Sequence, residues 1–187
     1  DLTIADFDFK VSLTEGGAAV SDTDKIMLNV DTFTNVKPGS LAPGTAGKFN
    51  LYITSNSEVT TGYQVMIDKT QLSLIVKSTD PSLSDIDYSE ILQKHIQFYV
   101  LDEDSEKVYI DDEHPAAGAL TYGEEKKVTI NWEWAYEADV TDITDPDERK
   151  NKIDAYDRED TILGENHDSI SGELKVVVKG IQYVPTP

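Results

Sequence analysis

Along Val128–Tyr136, VTINWEWAY, the residues Val128, Ile130, Trp132, Trp134 and Tyr136 recur at two-residue spacing, with Thr129, Asn131, Glu133 and Ala135 between them. That is the period of a strand with one buried face. Both tryptophans of the chain therefore point the same way, and the apolar area they carry makes this strand the expected centre of the core.

Shorter stretches repeat the alternation. Ile26, Leu28 and Val30 predict one strand; Phe49, Leu51 and Ile53 a second; Tyr63, Val65 and Ile67 a third; Leu72, Leu74 and Val76 a fourth. Ile96–Leu101 and Val108–Ile110 read as a hairpin around the acidic DEDSEK turn, and Pro38-Gly39 and Pro43-Gly44 mark turns that re-aim the chain. The β-branched run ELKVVVKGIQYV predicts a core strand within Ser171–Val184, with Gly180 as a bulge.

Helical signals are few. Pro81–Gln93 suits one or two helical turns. Asp145-Pro146-Asp147-Glu148 is a helix start, with Asp145 to cap, Pro146 at the first helical position, and Glu148 four residues ahead of Lys152 for a side-chain pair. Only Ile153 and Tyr156 form an apolar stripe on this helix, so it is predicted on the surface, ending before Gly164. Asp154, Asp157, Asp160 and Thr161 are expected to order the loop that follows. Many short strands with few helices predict an all-β fold, a jelly-roll-like β-sandwich with one or two short surface helices. A chain of 187 residues fits a single domain.

The first thirteen residues, DLTIADFDFKVSL, alternate but change phase. Leu2 and Ile4 hold even positions, whereas Phe7, Phe9, Val11 and Leu13 hold odd ones, so one flat strand cannot bury both sets on one side. Two readings follow: a β-bulge at Ala5-Asp6 within one strand, or a tail that leaves its own domain to complete a neighbour's sheet.

Charge narrows the partners. Thirty-six acidic against sixteen basic residues give a net charge of −20, which repels nucleic acid and anionic lipid. No apolar stretch reaches the roughly 18 residues of a membrane-spanning helix. The absence of cysteine excludes thiolate metal sites and cysteine nucleophiles but leaves the compartment open. The chain begins at Asp1 and runs directly into strand-like sequence, as expected of a mature product whose leader has been cut.

Catalytic constellations are missing. His95, His114 and His167 are scattered with no H-E-x-x-H helix, and no G-x-S-x-G turn offers a nucleophile. With so many carboxylates, nominating a glycosidase pair carries no information. Hard oxygen ligands make calcium the one cofactor to weigh, with Asp102, Asp104, Asp142 and Asp145 as candidate ligands. A solvated acidic face accounts for the same residues, and the position that a calcium loop reserves for glycine is Lys107. The expectation is a protein without catalytic residues and without an obligatory cofactor.

Several segments together resemble the TasA and camelysin family of secreted fibre proteins. They are PGSLAPGTAGKFNLYITSNSEVTTGYQVMI at Pro38–Ile67, LTYGEEKKVTINWEWAY at Leu120–Tyr136, DAYDREDTILGEN at Asp154–Asn166 and the closing KVVVKGIQYV. The order of W-x-W followed by D-x-x-D-T-x-x-G is the more specific part. The resemblance implies a jelly roll whose subunits polymerise head to tail, each donating its N-terminal strand to the next. Carried over, residues 1–13 would be the donor, with Leu2, Ile4, Phe7, Phe9, Val11 and Leu13 as polymerisation residues and 14–187 the jelly-roll domain. The implied role is a secreted, extracellular structural subunit of a pilus or biofilm-matrix filament, with itself as partner. The alternative is a monomeric cell-surface adhesion or ligand-binding domain with its N-terminal strand folded back. A metallopeptidase, a label attached to camelysin-like sequences, finds no zinc motif here.

Overall fold

The computed structural model describes residues 2–5, 9–20, 41–57, 59–80, 82–171 and 174–182. The strand predicted around Ile26–Val30 and the turn at Pro38-Gly39 lie outside the described residues, as do Phe7 and Val184. The fold is an all-β sandwich. One sheet has the order β1-β12-β4-β9, from β1 (Leu2–Ala5), β12 (Lys175–Gln182), β4 (Thr61–Asp68) and β9 (Ala116–Leu120). The other runs β2-β3-β10-β7-β8, from β2 (Phe9–Ser12), β3 (Ala46–Ser55), β10 (Glu125–Trp134), β7 (Ile96–Leu101) and β8 (Lys107–Ile110). A small third sheet joins β11 (Ile170–Ser171), β5 (Ser73–Val76) and β6 (Ile86–Asp87). Among the described strands, every pairing is antiparallel except β1 with β12.

The tryptophan strand β10 is the middle of its sheet, as its pattern predicts. Its register sets Ile130 against Phe49, and Trp132 between Gly47 on one side and Phe98 on the other. Val128, Ile130, Trp132 and Trp134 are buried in one cluster with Val65, Ile67, Leu120, Val176 and Val178 of the facing sheet. Close packing of these large side chains is what binds the two layers. At Gly118 of β9 the Tyr63 ring lies where a side chain would stand, 2.4 to 2.6 Å from an ideal Cβ.

Several expectations are corrected. Tyr136 does not continue the inward face: β10 ends at Trp134 and Tyr136 is 70% exposed. The Tyr156 hydroxyl donates to the Ala135 carbonyl at 2.9 Å, and the Tyr136 ring lies against Gly44, whose φ of +82° favours glycine and where a Cβ would stand 3.3 Å from the ring. Gly180 makes no bulge, since β12 pairs with β4 residue for residue from Lys175 to Gln182. The helix expected to stop before Gly164 runs as α2 (Pro146–Glu165), so Asp154, Asp157, Asp160 and Thr161 lie inside it rather than in a following loop. Its start is as predicted: Asp145 Oδ1 accepts from Asp147 N and Glu148 N, both at 2.9 Å. On its exposed face, Lys150 pairs with Asp154. The short helix α1 (Ser89–His95) occupies the end of the stretch expected to turn helically. Strand β9 had no sequence signal, because Ala-Ala-Gly-Ala-Leu carries almost no alternation.

Candidate functional site

The phase change near the N-terminus is a change of sheet. Strand β1 pairs in parallel along β12, with Leu2 at the position of Val176 and Ile4 at that of Val178. Strand β2 pairs antiparallel with β3 in the other sheet, with Phe9 at Ser55 and Val11 at Ile53. Among the described strands, each lies at the edge of its sheet. The phase change between the Leu2-Ile4 and Phe9-Val11-Leu13 sets thus falls where the chain passes from one sheet to the other. A bulge within one strand is therefore not how the two sets are accommodated.

Val11 is 0% exposed inside the core, and Phe9 and Leu13 pack against it. The loop after β2 is pinned as well: Val20 N donates to Val11 O at 2.8 Å, and Gly16 N reaches both Glu125 carboxylate oxygens at 3.1 Å. Strand β1 pairs with β12 through four residues, as β2 does with β3. Of the residues named for polymerisation, Leu2 and Ile4 lie in β1 beside β12, and Phe9, Val11 and Leu13 on the domain's own core. Phe7 lies outside the described residues.

The acidic candidates for calcium hold turns together. Asp102 Oδ1 accepts from Asp104 N at 3.0 Å and Glu106 N at 2.8 Å, closing the β7–β8 hairpin where Ser105 has a φ of 65°. Asp145 is occupied as the α2 cap, and Asp142 and Asp104 are exposed. Among the described residues, no group of three or more His, Asp or Glu side chains is arranged to hold a metal ion. Nor is any described helix long and apolar enough to cross a membrane.

The histidines stand apart. His114 pairs with Asp111 at 2.9 Å, which raises the imidazole above its ordinary value, and His167 sits beside Asp168. His95 is the exception, buried at the end of α1. Glu159 Oε2 lies 2.8 Å from its Nε2, Asp160 Oδ1 lies 2.9 Å from its Nδ1, and the Tyr156 ring stacks on it at 4.1 Å. Trp134 Nε1 donates to the same Asp160 Oδ1 at 2.8 Å, and Lys94 Nζ reaches Glu159 at 2.7 Å.

Burial pushes the Asp160 carboxyl up, against the pull of Trp134 and His95. For Glu159 burial pushes the same way, but Lys94 and His95 outweigh it and hold the carboxyl below its usual range. Burial and the nearby Asp160 and Glu159 push the Tyr156 hydroxyl up to about 12, so it remains a donor. This cluster was missed as a unit in the sequence, although W-x-W and D-x-x-D-T, the motifs that supply Trp134, Asp157, Asp160 and Thr161, were visible. Comparison with protein-family models, with curated proteins and with solved structures finds no match.

Proposed function

We propose that this chain is a structural subunit of an extracellular filament, assembled head to tail by strand donation, as its resemblance to TasA and camelysin implies. The observation that carries the reading is the division of the N-terminus between sheets. Among the described strands β1 lies at the edge of one sheet beside β12 and β2 at the edge of the other beside β3, with Val11 of β2 in the domain's own core. The donor is then Asp1–Ala5 and not all of residues 1–13. A slot along β12 that accepts β1 from the same chain accepts it equally from a neighbour, because the backbone pairing is the same in both cases. Donor and slot are different surfaces, so the contact is heterologous and propagates instead of closing.

The pairing of β1 with its own β12 is also what the alternative needs, a monomeric surface adhesion domain with the strand folded back. Electron microscopy of the full chain beside a chain lacking Asp1–Ala5 separates the two. Filaments from the full chain, and a folded monomer from the shortened one, are the expected result. Filaments from both, or folded monomers from both, would overturn strand donation.

A further inference from the structure

The outer face of the five-stranded sheet reverses the charge balance of the chain. Outward residues alternate with buried ones along β3 and β10. The registers set Tyr52 beside Lys127, and they align Lys48, Asn131, Tyr99 and Tyr109 in one row across the strands. The charged residues on this face are Lys10, Lys48, Lys107 and Lys127 against Glu125 and Glu133. Bases outnumber acids here, whereas the whole chain has thirty-six acids to sixteen bases.

Both carboxylates are engaged within the chain. Glu125 accepts from Gly16 N, and Glu133 is held by Lys107 and the Tyr109 hydroxyl. Lys107 is thereby neutralised, and its ammonium lies over the Tyr99 ring, 4.7 Å from the centroid. Among the described residues, no carboxylate pairs with Lys10, Lys48 or Lys127. Lys48 and Lys127 are exposed, and Lys10 is half-buried. The three tyrosines between these lysines suit a contact that is part apolar and part wet.

Such a face selects its partner by charge. An acidic molecule is repelled by most of the surface of a chain with net charge −20 and is attracted only here, which orients it. The chain itself carries a matching surface. From Glu137 to Glu148 six of the twelve residues are carboxylates, all exposed, and none is basic. At about 3.3 Å per residue and about 4.8 Å between strands, the five strands present roughly 500 Å². That area suits a weak or transient contact and not a permanent dimer.

We propose that the lysine and tyrosine face of the β2-β3-β10-β7-β8 sheet docks the acidic Glu137–Glu148 surface of a second copy of this chain. The two surfaces differ, so the contact is heterologous. Neither includes β1 or β12, and the contact stands whether or not strands are donated. Two copies also repel each other as wholes, which makes the salt dependence two-sided. At about 0.01 M salt the screening length of ~30 Å lets the full charge act, and at about 1 M the length of ~3 Å removes the ion pairs as well. Association is strongest in between.

The test uses the full chain. Nitrogen-labelled and unlabelled copies are mixed and treated with a carbodiimide, which joins a carboxylate to an amine only when the two touch. Peptides of mixed isotope content then identify bonds between copies. At about 0.15 M salt, Lys48 and Lys127 should be joined to carboxylates of Glu137–Glu148 in the other copy. The yield should fall at about 0.01 M and again at about 1 M salt. Lys48→Glu with Lys127→Glu, both at exposed positions, should keep the melting temperature. The pair should cut cross-linking between copies about fivefold or more, the scale of two exposed ion pairs turned repulsive. If no bond joins Lys48 or Lys127 to another copy, or if the double substitution leaves the yield unchanged, the proposal fails. It fails also if polygalacturonate moves the Tyr52, Thr129 and Asn131 amide signals while no bond joins two copies, a result that would assign the face to an anionic polysaccharide.

Discussion

Val11→Ala separates a core residue from a donated one. Val11 is 0% exposed and paired at Ile53 in β3. Removing its two methyl groups forfeits about 1.6 kcal/mol of transfer free energy at ~0.8 kcal/mol per group. A void of roughly 50 Å³ adds about 1 kcal/mol if the neighbours relax little. The sum is about 2 to 3 kcal/mol, an upper figure because the unfolded chain already buries some of this surface. With a urea dependence of about 2 kcal/mol/M, the midpoint should fall by about 1 M. The assay is urea unfolding, followed by tryptophan fluorescence, in the chain lacking Asp1–Ala5, which is expected to stay monomeric. If Val11 instead served a neighbour's sheet, the same substitution would leave the isolated domain's midpoint in place and weaken filaments alone. A shift under about 0.2 M would refute the assignment of β2 to its own core.

Other outcomes follow from single contacts. Trp134→Phe keeps an aromatic ring but removes the indole N–H that donates to Asp160 Oδ1, and should cost about 1 to 3 kcal/mol in urea unfolding by leaving a largely buried carboxylate short of a partner. Gly118→Ala places a Cβ against the Tyr63 ring in an otherwise full core, and should lower the melting temperature by several degrees, about 1 to 3 kcal/mol of overpacking. Asp145→Ala removes the cap from two amides of α2; the expected loss of about 1 kcal/mol should appear as faster exchange in the first turn of the helix. Asp68, held low by Thr70, and Glu159, held low by Lys94 and His95 against its burial, have folded-state values below the usual carboxylate range. Their stabilisation is present at neutral pH and is lost as pH falls through those values, so the melting temperature should drop below about pH 4; Asp160, held high, acts with the opposite sign.

The strands that were legible in the sequence are those with one wet and one dry face. In β10 and β3 the inward residues are large and the outward ones mostly polar, so period two stands out. Strand β9 was invisible because it packs Gly118 under the Tyr63 ring, which demands small residues where alternation would have shown. The end of β10 was misplaced for a different reason. Tyr136 keeps the spacing of Trp132 and Trp134, yet the Tyr156 hydroxyl from α2 binds the Ala135 carbonyl, and the chain turns away. That competition comes from a residue twenty-one positions on, which no local pattern records. The α2 cap, a purely local device, was readable in full.

The N-terminus and the His95 cluster mark opposite limits of such reading. A parity change is a local signal of a non-local event: it records that the chain changes layers without saying which strand receives it. Only the pairings, β1 on β12 and β2 on β3, distinguish a sheet switch from a bulge. They also divide the described residues of this segment between the two sheets. In the cluster, by contrast, each residue has an ordinary local excuse. His95 ends a helix, Glu159 and Asp160 belong to an acidic run, and Trp134 completes an alternating strand. Their shared chemistry exists only because α1 and α2 meet beside the end of β10. A helix with so little apolar surface needs a polar means of attachment, and that need was visible in the sequence even though the groups that meet it were not.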